Sequence, residues 1–157
     1  MVNMRPFTAF EQKNLKFLVN HNVKFTQVEI TPTGLGKGIL DSTAPMRAYF
    51  LEEGVHDYSE QLQGQEFKQM RNAVILTADN QCITQASFYR PNTKKGDPRM
   101  WIYKLGSYTE GNDIHVLFYF ADNLYSINIT RIDIEKCYNS VIITPLKEVL
   151  MEINQIG

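Results

Sequence analysis

The sequence predicts a mainly β, α+β domain in which about seven mostly antiparallel strands roll into a barrel flanked by short helices. Runs of branched and aromatic residues suit pleated strands. Two pairs of such runs are separated by only three or four turn residues, as in β-hairpins. Helical periodicity is confined to three short stretches. Because consecutive hairpins place antiparallel strands side by side, we expect the whole chain, residues 1-157, to form a single domain.

The composition limits the class of protein. With 157 residues, 43% of them hydrophobic, the chain can bury the core of one domain. A net charge of −1 excludes a nucleic-acid binder that is basic over its whole surface, so any such site must be a patch. No apolar run could cross a bilayer, residues 1-6 do not lead into a secretory signal, and Cys82 and Cys137 suggest no disulfide framework. We therefore expect a reduced, cytoplasmic protein without membrane contact.

The first half of the chain predicts two helices and a strand. Residues 7-21 carry apolar side chains at three-to-four spacing, and Thr8 with Glu11 fits a capping box, so a helix should begin near residue 8. Residues 23-30 alternate in character and predict a strand. The glycine-rich residues 31-39 predict a turn, and residues 42-54 predict a second helix that ends at a glycine.

The second half predicts two hairpins, a separate strand and a last helix. The first hairpin joins residues 67-77 to 82-89, and the second joins 114-120 to 124-129. A further strand is expected at residues 100-105. Apolar residues at helical spacing predict a helix over residues 145-156.

A basic loop follows the first hairpin and is the strongest functional signal. Over residues 88-104, five cations stand against Asp97, which gives a charge of +4 and leaves −5 for the rest of the chain. Such asymmetry suggests a footprint for a polyphosphate anion. Asn92 and Thr93 add short side chains that suit phosphates and base edges. An ordinary solvated hairpin tip is the alternative.

A second polar stretch, Thr33-Gly34-Leu35-Gly36-Lys37, invites a nucleotide-binding interpretation. It matches neither a Walker A loop nor the dinucleotide fingerprint, because the required glycine and hydroxyl positions are not filled. What remains is a backbone that can approach a ligand closely, together with one cation. A flexible connector is the other reading.

One weak constellation suggests catalysis. Asp57 followed by Glu66-Phe67-Lys68 is similar to the motif of the Mg²⁺-dependent nucleases of the PD-(D/E)xK type. In these enzymes two acids hold the metal and the lysine helps to activate water. Surface residues at a strand entrance are the competing interpretation. The three histidines suggest no zinc site, and no serine or cysteine has the context of a nucleophile. We therefore expect no catalytic residue, metal or cofactor in this domain.

The order of these parts resembles the pseudobarrel DNA-binding domain shared by the restriction enzymes EcoRII and BfiI and by the plant B3 transcription factors. The stretch from Thr33 to Lys37 lies where that family has its first recognition arm. The loop from Arg90 to Arg99 lies where it has its second, and Ala86-Ser87-Phe88-Tyr89 looks like the strand that carries this arm. The resemblance covers roughly residues 24-130.

The resemblance implies that the domain grips double-stranded DNA with both arms in one major groove. Arginine and lysine would donate to guanine, Asn92 could pair with adenine, and the other cations would neutralise phosphates. The family also serves as the DNA-reading module of larger restriction systems, so a nuclease or an NTP-driven motor is the expected partner, in the same or another chain. The residues expected at the DNA are Thr33, Gly34, Gly36, Lys37, Tyr89, Arg90, Asn92, Thr93, Lys94, Lys95, Asp97, Arg99 and Lys104.

Overall fold

Seven strands form one curled, mixed sheet in a computed structural model that describes residues 4–156, with the side chain of Lys94 left out. The strands are β1 (Thr26–Glu29), β2 (Leu40–Asp41), β3 (Gln69–Leu76), β4 (Gln81–Tyr89), β5 (Arg99–Ile102), β6 (Ile114–Phe120) and β7 (Asn123–Asn128). Their order across the sheet is β1-β6-β7-β3-β4-β5-β2. All neighbours are antiparallel except β3 and β7. The predicted fold class, a mostly antiparallel pseudobarrel with flanking helices, is confirmed.

Five α-helices accompany the sheet in the described part of the chain: α1 (Ala9–Asn20), α2 (Pro32–Lys37), α3 (Ala44–Glu52), α4 (Ile134–Asn139) and α5 (Pro145–Ile156). The helices predicted over residues 7-21, 42-54 and 145-156 are confirmed, as are both hairpins. The sequence did not predict α4 or the two-residue strand β2. Four short 3₁₀ turns also occur within residues 4–156, at Tyr58–Glu60, Gln65–Phe67, Lys94–Gly96 and Leu105–Tyr108.

The start of α1 shows how local sequence fixes a helix and anchors it to the sheet. Thr8 accepts a hydrogen bond from the Glu11 backbone, and the Glu11 carboxylate accepts one from the Thr8 backbone, which completes the predicted capping box. Glu11 is fully buried and pairs with both terminal nitrogens of Arg5. It also accepts from the Thr130 hydroxyl just beyond β7. The capping residues therefore start the helix and also link it to the sheet.

The central strands of the sheet are buried on both faces, because β3, β6 and β7 each contribute side chains to two cores. In β3, Ala73 and Ile75 face the first core, whereas Val74 and Leu76 face the second. Helix α3 fills the first core, together with strands β1, β2, β4 and β5. Helices α1, α4 and α5 cover the second core over β6 and β7. Two-sided burial explains why the runs at residues 74-76 and 114-118 are almost continuously apolar.

The curl of the sheet brings its two edges toward each other. Strands β1 and β2 stand at opposite ends of the strand order, yet both line one groove of about 100 Å³. Helix α3 packs inside the curl, where Tyr49 donates to the Lys24 carbonyl and accepts from the Tyr119 backbone. A single phenol thus ties the helix to β6 and to the segment just before β1, and the molecule is a half-barrel filled by a helix.

A buried polar network lies at one end of β6 and β7. His115 is fully buried, and its two ring nitrogens hydrogen bond to the hydroxyls of Ser126 and Thr109. Burial lowers the pKa of His115 to about 4, although the charge of Asp113 opposes the shift. The imidazole is therefore neutral in the folded protein at neutral pH.

This histidine should make stability depend on pH. Between pH 6.5 and 4 the unfolded chain takes up a proton at His115 that the folded chain does not, so stability is lost as the pH falls through this window. Replacing it in His115→Gln should reduce the difference in unfolding free energy between pH 7 and pH 4.5 by about 2.5 kcal/mol. Urea denaturation at the two pH values measures this difference. An unchanged difference would show that folding does not alter the binding of a proton at His115.

Part of the pH dependence should remain in that variant. Burial also lowers the pKa of His56, against an opposing hydrogen bond to Gln61. The same substitution at His21, a half-buried residue at the end of α1, serves as a control for the loss of a histidine as such.

Candidate nucleic-acid interface

The two sequence segments predicted as DNA-binding arms converge on one edge of the sheet. The connection 30-39 leads into β2, and the connection 90-98 leads into β5. These two strands pair, with Asp41 opposite Arg99. The Ser42 backbone also donates to the Pro98 carbonyl at 3.0 Å. Segments about 60 positions apart are thereby brought side by side.

The first arm is a short helix, and the predicted glycine-rich turn is wrong. Thr31 caps α2 by accepting from the Gly34 backbone, Pro32 occupies its first turn, and Gly38 ends it in a left-handed conformation with φ 66°. Two glycines within six residues give a low helix propensity, which favoured the turn. The caps at both ends, and the packing of Leu35 against the first core, outweigh that preference.

The glycines of α2 have different structural roles. Gly34 is buried, and a Cβ atom there would lie 2.7 Å from the Ile39 carbonyl oxygen and 2.8 Å from the Thr31 hydroxyl. Gly36 is exposed and would meet nothing within 4 Å. Gly34 therefore serves close packing, whereas the space around Gly36 is open.

This contrast predicts opposite effects of the same substitution. Gly34→Ala should destabilise the fold by about 1–3 kcal/mol, because the helix must move away from the backbone of Ile39. Gly36→Ala should stabilise it by about 0.5–1 kcal/mol through higher helix propensity. Denaturant unfolding of the two variants measures both effects. Equal destabilisation by the two changes would contradict the assigned roles.

A groove of about 310 Å³ separates α2 from the β2–β5 edge and contains cations from both arms. Lys37 at the end of α2 and Arg99 at the start of β5 line it, together with Thr31, Thr33 and Asp41. Lys37 and Thr33 are exposed to solvent. We call this the α2 groove.

Arg99 is held in the α2 groove beside an acidic neighbour. Its Nε atom lies 2.9 Å from Oδ1 of Asp41, close enough for an ion pair. The N–H does not point at that oxygen, so Nε is the one buried side-chain polar atom among residues 4–156 without a hydrogen bond. The side chain of Asp41 is 76% exposed and that of Arg99 only 18%. Solvent therefore screens this pair, and Asp41 is free to turn away when a stronger anion enters.

Hydrogen bonds from Arg90 hold the backbone of the second arm in place. Arg90 donates from Nε to the Gly96 carbonyl and from Nη1 to the Gln61 carbonyl, both at 3.0 Å. The Gly64 backbone donates to the Arg90 carbonyl at 2.7 Å, and the Gln63 side chain donates to the Pro91 carbonyl. Arg90 was expected to contact DNA; its guanidinium spans the base of the loop.

The segment 61-64 supports this loop and was missed by sequence reasoning. Gln61 is buried and donates to the carbonyls of Phe67 and Phe88, which fixes its own carbonyl beneath Arg90. Gly64 adopts φ 122°, a conformation that favours glycine. An isolated glycine in a polar connector was the only signal for this role.

The tip of the loop presents polar side chains to solvent. Asn92, Thr93, Lys95 and Asp97 are all exposed. Lys95 has φ 58° and Gly96 has φ 71°, so the chain turns sharply there. The side chain of Lys94, also predicted at the DNA, lies outside the described residues. The tip thus displays an amide, a hydroxyl, a cation and a carboxylate on a fixed backbone.

Two other expected contacts, Tyr89 and Lys104, lie away from the tip. Tyr89 is buried, with Nζ of Lys68 5.3 Å from the centre of its ring. Trp101 in β5 is half-buried against Gly38. Lys104 is exposed but follows the far end of β5, on the opposite side of that strand's length from Arg99. Tyr89 and Trp101 therefore belong to the scaffold of the arms.

The residues of the nuclease hypothesis have structural contacts. Asp57 caps a 3₁₀ turn by accepting from the backbone and hydroxyl of Ser59. Glu66 lies in a 3₁₀ turn with its side chain folded against Gly64, and Lys68 follows that turn. No group of three His, Cys, Asp or Glu residues suited to a metal ion occurs within residues 4–156.

Comparison of the chain with family models, with curated proteins and with solved structures found no match. Within residues 4–156, no helix combines the length and the apolar character needed to cross a membrane.

Proposed function

We propose that this domain binds double-stranded DNA in a sequence-specific manner, with the loop 90-98 in the major groove. The observation that carries the proposal is the convergence of the two arms at the β2–β5 edge, where Lys37 and Arg99 share the α2 groove. Two cations in one groove beside an exposed polar loop form a local site for phosphates. With a net charge of −1, the surface as a whole would not attract phosphates.

The loop has the chemistry needed for reading bases. An asparagine amide can pair with adenine, and a threonine hydroxyl serves either donor or acceptor edges. Asn92 and Thr93 supply these groups at the exposed tip, and Lys95 beside them can neutralise a phosphate. Because Arg90 and the segment 61-64 already hold the backbone, little conformational entropy is lost when the loop enters a groove.

The order of elements is the feature on which the resemblance to the EcoRII and B3 pseudobarrel domains rests. A connection follows β1, then come β2, α3 and the β3–β4 hairpin, and the basic loop leads into β5. On this basis we propose that the chain is the target-recognition module of a restriction system in the cytoplasm. Cleavage or translocation of DNA would then belong to a nuclease or an NTP-driven motor, in the same or a partner chain.

Selection from a random double-stranded DNA library tests this function. The purified protein is incubated with the library in EDTA at near-physiological salt, and the bound fraction is sequenced. We expect enrichment of one short motif, and we expect Asn92→Ala to broaden the base preference at a single position within it.

Two results would count against the proposal. Recovery of unenriched DNA with equal affinity for all sequences would leave only a non-specific phosphate binder. Loss of input DNA on adding Mg²⁺, prevented by Glu66→Ala, would instead support the nuclease that uses Asp57, Glu66 and Lys68.

A further inference from the structure

A second groove, of about 370 Å³, meets the basic loop at its base and shares no residue with the α2 groove. Arg47 of α3 and Arg90 at the end of β4 both line it, with Pro98 of the loop, Tyr58 and Ser59. We call it the α3 groove. Arg47 carries no functional signal in the sequence, since it lies within an ordinary short helix.

Both arginines are fixed in place by the backbone around the loop. Arg47 donates from Nη1 to the Ser42 carbonyl at 2.6 Å, and the Ser42 backbone in turn donates to Pro98. Tyr58 donates to the Arg99 carbonyl and shares a hydrogen bond with the Ser42 hydroxyl. Helix α3 is therefore tied to the entry of β5, and Arg47 moves as one body with the basic loop.

The charge of these arginines is not neutralised within the protein. Among the described residues, neither lies within 4 Å of a carboxylate oxygen. Arg47 uses one nitrogen for a protein hydrogen bond, and Arg90 uses two, so donors remain on each guanidinium. Asp57 also lines the groove, but its Oδ1 atom accepts from Ser59. Two cations against one carboxylate leave an excess positive charge.

We propose that the α3 groove binds a backbone phosphate of DNA, on the strand opposite to the one held at the α2 groove. This inference rests on the proposed function. A loop that enters the major groove has a phosphate backbone on each flank, about 12 Å apart across the groove. The base of loop 90-98 likewise carries two separate cation pairs, Lys37 with Arg99 beside α2 and Arg47 with Arg90 beside α3.

The test compares Arg47→Gln with the unmodified protein on the duplex recovered from the selection. Losing one phosphate contact should weaken binding about fivefold near 0.15 M salt and reduce the slope of log K against log salt by about one. Base preference should not change. Lys16→Gln, at an exposed position of α1, alters the net charge equally and should leave both quantities unchanged.

Two further measurements locate the contact. Duplexes in which single phosphates are replaced by uncharged methylphosphonates should reveal one position where neutralisation weakens the unmodified protein but not Arg47→Gln. Ala48→Glu places a carboxylate in the same groove at an exposed helical site, and it should weaken binding more than Arg47→Gln without lowering the melting temperature.

The outcomes separate this inference from the proposed function. If the unmodified protein binds its selected duplex and Arg47→Gln retains the same affinity and salt slope, the phosphate site is refuted while DNA reading stands. If the protein binds no duplex at all, both proposals fail. A uniform effect of every methylphosphonate would also refute a localised contact at Arg47.

Discussion

Changing Lys37, Lys95 and Arg99 together to glutamine is expected to weaken binding to the selected duplex by about 100-fold near 0.15 M salt. Each phosphate contact releases a condensed counterion, so three contacts contribute about 3 kcal/mol at this salt concentration. Lys37 and Lys95 are exposed, and Arg99 pairs only with the 76% exposed Asp41. The substitutions should therefore leave the fold intact.

The measurement is the dissociation constant over a series of salt concentrations, and the slope of log K should fall by about three. A matched control changes Lys13, Lys16 and Lys136 to glutamine. These lysines lie on α1 and α4, which cover the second core, and their loss alters the net charge equally. Equal losses of affinity in both triple variants would show that overall charge, and not the loop edge, governs binding.

The largest expected effect on stability comes from Glu11→Ala, at about 3–5 kcal/mol. This change removes a fully buried carboxylate and leaves Arg5 without its partner. The backbone N–H of Thr8 and the hydroxyl of Thr130 lose their acceptor at the same time. The start of α1 and the end of β7 would both be loosened.

Urea denaturation at pH 7 measures this effect, with Glu135→Ala as the control. Glu135 lies 3.6 Å from Lys13, and both side chains are about half exposed, so its loss should cost less than about 1 kcal/mol. The hydrogen bond from Arg5, opposed by burial and supported by Thr130 and the Thr8 backbone, lowers the pKa of Glu11 to about 2. Its stabilisation is therefore present above about pH 4.5 and is lost as the pH falls through 2. The two variants should differ least in strong acid.

Local signals in the sequence predicted the elements whose stability is local. The capping box of α1, the glycine that follows α3 and the short turns of both hairpins each involve neighbouring residues, so a pattern a few residues long contains the necessary information. The apolar spacing of α5 is of the same kind.

The missed features depend on distant partners. Strand β2 has two residues and exists because Asp41 and Leu40 pair with β5. The parallel pairing of β3 with β7 joins segments separated by the whole basic loop, and no local pattern encodes it. The short helix α4 is held by Asn14 of α1, whose side chain accepts from the Ile134 backbone. Such contacts cannot be read from one sequence.

The candidate site likewise has some features that the sequence predicted and others that depend on the fold. The concentration of cations between residues 90 and 104 was visible in the sequence, but their individual roles depend on the fold. Arg90 donates inward to carbonyls, Arg99 lies beside Asp41, and Arg47 lines the adjacent groove from a helix that carried no functional signal. Residue type led to the prediction of a phosphate ligand, whereas only the pairing of β2 with β5 defines the geometry of the site.

The strand order also constrains how the chain can fold as it leaves the ribosome. The half of the sheet made of β3, β4, β5 and β2, with α3, is contained in residues 40-102 and can assemble early. Strand β1 is synthesised before all of these, yet its partner β6 appears only at residue 114. Nascent β1 must therefore wait unpaired while the β2–β5 edge forms, and the curl closes only when β6 and β7 arrive. Because contacts between distant segments form slowly, this closure should limit the folding rate.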